Sequence, residues 1–164
     1  MYQSYWQLQC RPFESISNPK FYYPGESHQG ALLKLRYAIE NRSPAVVLAG
    51  PSGIGKTMLV HLLTRQLGEQ FRPVLQIVFP QMPPESLLAY LADELGAKPE
   101  NGRAIDQSLH RIERTFRESS AAGRHGVIVI DEAQLITEVR TLEAVRLLLN
   151  LGVDGQPPFT LLLS

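Results

Sequence analysis

Cysteine is almost missing from this sequence: Cys10 is the one thiol in 164 residues. A single thiol excludes an internal disulfide and a cysteine-built zinc cluster, and it fits a reducing compartment. Cys10 itself reads as a packed or idle side chain. Net charge is missing as well, since sixteen Lys and Arg offset sixteen Asp and Glu. The balance excludes a global basic field for nucleic acid and the acidic excess of a disordered chain. No stretch approaches the roughly 18 consecutive apolar residues of a membrane helix. The opening MYQSYWQLQCRPF lacks the charged start and apolar run of a signal peptide. The expectation is a cytoplasmic chain without a membrane span. Internal repeats and low-complexity tracts are also lacking.

What remains is an ordinary globular composition, 44% hydrophobic and 20% charged, on a length that suits one domain with a real core. Residues 1–30 carry many aromatics, prolines and turn formers, too many large apolar side chains to stay solvated, so an ordered lead-in is expected. Ala31, Leu32, Leu35, Ala38 and Ile39 recur at helical spacing, and Ser43-Pro44 ends that helix. AVVLAG (45–50) reads as a strand covered on both faces. A glycine-rich turn leads into a helix from Lys56 to about Gln70. VLQIVF (74–79), VIVI (127–130) and 159–163 read as three further strands. Helices are expected over 85–95, from Ile105 to near Gly123, and over 141–151. Strand and helix alternate, which predicts an α/β fold of three layers, a parallel sheet with helices on both faces. The expected division is a lead-in and first helix over 1–43, packing on the nucleotide site, and a core over 44–164. The sequence stops in the apolar strand PPFTLLLS, and the expectation is a piece of a longer polypeptide.

Residues 50–57 read Gly50-Pro51-Ser52-Gly53-Ile54-Gly55-Lys56-Thr57. This matches G-x-x-x-x-G-K-[ST] in full, between an apolar strand and an amphipathic helix. Phosphates carry dense negative charge, and such a loop answers with a row of backbone N–H donors and a helix N-terminus. Gly53 and Gly55 let the backbone come close and take positive φ. Lys56 offers an ammonium to the β and γ phosphates, and the Thr57 hydroxyl is a Mg²⁺ ligand. The expected nucleotide-binding set is Gly50, Pro51, Ser52, Gly53, Ile54, Gly55, Lys56, Thr57 and Met58, with ATP and Mg²⁺ as cofactors.

The third strand ends in Asp131-Glu132. Acids there stand at the carboxyl edge of a parallel sheet, where ligands bind in open α/β folds. Asp131 is expected to orient Mg²⁺, mostly through its waters. Glu132 is expected to position and deprotonate the attacking water. A second acid beside the first supplies a general base, which suits an ATP-hydrolysing enzyme rather than a passive nucleotide binder. The catalytic expectation is therefore Glu132 with Lys56.

Other residues read more plainly. Gln134 reads as an exposed helix start, with contact to the active site or a next subunit as the alternative. His28 reads as a capping or surface residue, with the wall of the adenine pocket as the alternative. Tyr22 and Tyr23 suit core packing or stacking on the base. His61, His110 and His125 lack metal-ligand spacing and read as structural or exposed. Arg140 and Arg146 read as helix-surface charges.

The run Pro12-Phe13, Asn18-Pro19-Lys20-Phe21-Tyr22-Tyr23, His28, Ala31-Leu32, GPSGIGKT, IDEAQLI and LEAVRLLLNL resembles the AAA+ ATPases of the ExeA type, the general secretion pathway protein A family. The likeness spans about residues 8–163, and transposition ATPases of the TniB type have a similar core. It implies the AAA+ variant of the phosphate-loop fold, with the acidic-pair strand beside the fourth strand and the fourth beside the phosphate-loop strand. It also implies ATP-driven homo-oligomeric assembly, a protein partner in secretion or membrane assembly, and further membrane and envelope regions beyond this chain. The family's sensor residue, fifth strand, lid helices and arginine finger would follow Ser164, and without the fifth strand the phosphate-loop strand is an exposed edge. Many AAA+ proteins end the second strand in a polar switch residue. Here Phe79 cannot serve and Gln81 is the nearest polar candidate. The alternatives to an envelope ATPase are a DNA-associated ATPase of transposition or replication, and a nucleotide switch with little turnover.

Overall fold

The computed structural model describes residues 2–10, 19–96, 105–152 and 155–164. Its frame is a four-stranded parallel sheet in the order β1-β4-β3-β2. The strands are β1 (Ala45–Val47), β2 (Val74–Ile77), β3 (Gly126–Ile130) and β4 (Phe159–Leu163). Six helices accompany them among the described residues: α1 (Tyr2–Tyr5), α2 (Glu26–Glu40), α3 (Lys56–Gln66), α4 (Pro84–Glu94), α5 (Ile105–Ala121) and α6 (Val139–Leu149). The strand neighbours are those the family resemblance implies.

The apolar strands are explained by cover on both faces. Along β3 the side chains alternate, Ile128 and Ile130 joining one core and Val127 and Val129 the other. On the first face Leu87, Leu88 and Leu91 of α4, Ile112 and Phe116 of α5, and Val145 and Leu148 of α6 close over the sheet. On the second, Leu35 and Ile39 of α2 meet Val60 and Leu63 of α3. The result is the expected three-layer α/β arrangement. Gly126 opens β3 where the Phe116 and Phe159 rings stack 4.7 Å apart, and a Cβ there would collide with the Phe116 ring. No helix among the described residues is long and apolar enough to cross a membrane.

Several expectations are corrected in extent. β1 ends at Val47 rather than Gly50, because its one neighbour β4 runs out: Leu48 N–H makes the last bond, to the Leu163 carbonyl at 2.8 Å. The 45–50 stretch is also not covered on both sides, since β1 is a sheet edge and Val47 is 66% exposed. β2 likewise stops at Ile77, leaving Val78 and Phe79 exposed. α3 stops at Gln66, not Gln70. Leu67 turns extended and buries its side chain, and Gly68 adds a residue of poor helix propensity. In the lead-in, Tyr5 and Trp6 touch edge to face but stay exposed, as does Tyr23, and Pro12, Phe13 and Asn18 fall outside the described residues.

Candidate functional site

The loops after β1 and β3 converge with Ser164 at the carboxyl ends of β1, β3 and β4. They line a cleft of about 480 Å³ with Gly50, Ser52, Lys56, Glu132, Gln134 and Ser164 among its walls. The loop after β1 has its shape from two glycines in the left-handed region, Gly53 at φ 77° and Gly55 at φ 96°. A side chain is strained at both. Gly55 is also the N-cap of α3, so the loop delivers the chain straight into a helix N-terminus.

The consequence is a set of unspent donors. Among the described residues, the N–H groups of Gly53, Ile54, Gly55, Lys56 and Thr57 have no backbone acceptor, and the first helical bond of α3 is Leu59 N–H to Gly55 O at 3.0 Å. Consecutive N–H groups around left-handed glycines at a helix start form a concave anion nest. Lys56 Nζ lies over the same loop, donating to the carbonyls of Gly50 at 3.0 Å and Pro51 at 3.2 Å. A cation and a nest of N–H donors thus share one small surface.

Thr57 reaches the acidic strand end. Its Oγ1 donates to Asp131 Oδ2 at 2.9 Å, and Asp131 is buried. The other carboxylate oxygen, Oδ1, accepts from the Glu132 N–H at 3.1 Å. Two hard oxygens side by side, one of them anionic, match the few protein ligands that Mg²⁺ takes before water and phosphate complete its shell. The donor set therefore fits that ion.

Glu132 sits in the left-handed region at φ 54°, uncommon for a residue with a long side chain. The turn throws its exposed carboxylate out of line with β3 and into the cleft. There Gln134 Nε2, from a 3₁₀ turn over Ala133–Leu135, donates to Glu132 Oε2 at 2.5 Å. Gln134 is thus a cleft residue, not a bare helix start. Gln81 instead lines a separate cleft of about 240 Å³ with Ile136, Glu138 and Thr141.

A model of the AAA domain family matches residues 39–164, from the end of α2 through the nest and the acid pair to the last strand. The chain belongs to that family. This AAA domain is also 32% identical over 154 residues to General secretion pathway protein A of Aeromonas hydrophila. That alignment covers 94% of the chain, and the chain spans 28% of the length of that relative. Membership of the AAA family implies nucleotide binding, and the cleft supplies a surface suited to it.

The other expected residues sort cleanly. Arg140 pairs with Glu85 and Arg146 with Glu143 on exposed helix surface. His110 is exposed, and Cys10 is an exposed free thiol. His125 is buried at the opposite end of the sheet. Its Nε2 meets Thr160 Oγ1 at 2.9 Å, and burial, helped by Arg42, lowers its pKa to about 4. His28 departs furthest from the sequence reading. It is bound to the phosphate loop, its Nε2 2.9 Å from the Ile54 carbonyl oxygen.

Proposed function

We propose that this AAA domain binds ATP with Mg²⁺ in the cleft between β1 and β3 and hydrolyses it. The observation that carries the proposal is the nest of five N–H donors without a backbone acceptor among the described residues, beside the Lys56 ammonium, with the Thr57–Asp131 oxygen pair at its edge. Gly50 through Met58 wrap the phosphates. Lys56 exchanges its two carbonyl contacts for β and γ phosphate oxygens and stabilises the charge that develops there. Thr57 and Asp131 hold Mg²⁺, which when bound offsets charge on the phosphate oxygens.

Glu132 is the general base. It takes a proton from a water whose oxygen attacks the γ phosphorus. The bond from that phosphorus to the β–γ bridging oxygen breaks, and ADP leaves with the bond's electron pair. The chemistry is mostly positioning. The likeness to General secretion pathway protein A supports a role in assembling or remodelling an envelope export apparatus, through a homo-oligomer whose state the nucleotide sets.

The test is thermal stabilisation by nucleotide. ATP with Mg²⁺ raises the melting temperature of the wild type, by more than ATP with a chelator, and does not raise that of Lys56→Ala. An equal shift in Lys56→Ala places the nucleotide elsewhere.

A further inference from the structure

We infer that His28 is a positioning residue for nucleotide binding: its imidazole holds the Ile54 carbonyl outward and so aims the Gly55 N–H into the phosphate nest. This rests on the nucleotide-binding reading above and names a residue that it lacks.

A trans peptide is planar, and its C=O and N–H point in opposite directions. The unit joining Ile54 to Gly55 therefore has one rotational choice that matters. If the Ile54 oxygen faces out of the loop, the Gly55 hydrogen faces in. If the unit flips, an oxygen faces the phosphates and repels them. Glycine at φ 96° has no side chain to resist such a flip, so the sequence that permits the loop also leaves it undetermined.

His28 removes that freedom from outside. A carbonyl can only accept, so Nε2 at 2.9 Å carries the hydrogen and donates it to Ile54 O. The Gly55 N–H has no backbone acceptor among the described residues, as expected of a donor turned toward a ligand. The imidazole also sits close to Gly55 itself, its Nε2 3.8 Å from where a Cβ would stand. A side chain at 55 would be strained by its backbone, while its Cβ would meet this histidine at ordinary contact distance.

The imidazole is itself supported. It lies in the first turns of α2, which is anchored by buried Leu35 and Ile39. The Tyr22 ring lies against it, with centroids 6.2 Å apart. The strut thus ties the loop to α2, which packs beside α3, in a bond spanning 26 residues of sequence. Orienting a donor before the ligand arrives removes a cost from binding, so the effect belongs in affinity rather than in the chemical step.

The experiment measures Kd for a fluorescent ATP analogue with Mg²⁺, and KM and kcat for ATP, in wild type, His28→Phe, His28→Ala and His28→Gln. Phenylalanine keeps the ring against Tyr22 and lacks the donor. Glutamine places an N–H near the position of Nε2. The expected result is a Kd and KM raised roughly three- to tenfold in His28→Phe and His28→Ala, the loss of about one hydrogen bond. Glutamine restores most of the affinity, and kcat stays within about twofold throughout. Melting curves in nucleotide-free buffer identify any variant that has lost its fold, and His28→Phe then carries the comparison with His28→Gln. Wild-type affinity in His28→Phe overturns the inference and leaves the ATP site standing. So does equal weakness in folded His28→Phe and His28→Gln, which would assign the effect to shape. A wild type that binds no nucleotide overturns both readings together.

Discussion

Thr57 Oγ1 and Asp131 Oδ2 meet at 2.9 Å across 74 positions of sequence, joining the first turn of α3 to the end of β3. The bond fixes the distance between the phosphate nest and the acid pair before any ligand is present. It also places two oxygen donors where a nucleotide-bound Mg²⁺ would need them. Thr57→Ala is expected to keep the fold and lose the Mg²⁺-dependent part of nucleotide stabilisation. The melting-temperature gain on adding Mg²⁺ to the ATP-loaded protein should fall to near zero. An undiminished gain would place the ion on other ligands.

Glu132 and Gln134 are joined by an amide donating to a carboxylate. The amide occupies one of the two carboxylate oxygens and so restrains the group that must reach the attacking water. Gln134→Ala is expected to raise steady-state turnover by a fewfold with little change in KM for ATP. A fall in kcat instead would mean that the amide aims Glu132 rather than restrains it.

His125 predicts how the fold responds to acid. Its pKa is lowered from 6.5 to about 4 by burial and by Arg42, so the unfolded chain takes up a proton that the folded one refuses. Stability is full above about pH 6.5, falls as pH drops toward 4, and gains no further slope from this group below that. The imidazole also pins the sheet end: Thr160 Oγ1, its partner, donates to the Ser43 carbonyl at 2.7 Å. His125→Gln should flatten the dependence of unfolding free energy on pH between 6.5 and 4. Parallel curves for the two proteins would contradict it.

Gly126 gives a prediction about packing alone. A methyl group there meets Phe116, whose ring is fully buried against Phe159. Overpacking a closed core costs about 1–3 kcal/mol. Gly126→Ala should lower the urea midpoint accordingly and leave nucleotide affinity unchanged, because the change lies at the end of β3 away from the cleft.

The sequence made some of this legible and hid the rest for physical reasons. The nest, Lys56, Thr57 and the acid pair stand in two contiguous runs, each tied to a strand end by an apolar stretch, so order along the chain places them in space. Strand identity followed because β3 is buried on both faces and has no polar residue before Asp131. Strand length did not. β1 is cut short by the end of its neighbour β4, which no property of AVVLAG records. His28 and Gln134 read as surface residues first and as site residues only second, because each bonds through a geometry their residue types do not announce. The histidine's acceptor is a main-chain oxygen 26 residues away, and any residue could supply it. Gln134 reaches Glu132 only because Glu132 adopts a left-handed turn, and glutamate gives no sign of that conformation. The lead-in aromatics were expected to pack because they are large. Tyr5 and Trp6 meet edge to face and still, like Tyr23, stay exposed, so size alone does not bury a side chain.

The central claim is that the nest with Lys56 binds ATP and that Glu132 drives its hydrolysis. Its most direct test is ATP binding and steady-state phosphate release with Mg²⁺, for wild type, Lys56→Ala and Glu132→Gln side by side. The account predicts that wild type binds and turns over ATP and that Lys56→Ala loses binding. It predicts that Glu132→Gln binds like wild type and slows by about a hundredfold or more, as removal of a general base should. A wild type that does not bind ATP, or a Glu132→Gln protein that turns it over at the wild-type rate, would contradict it.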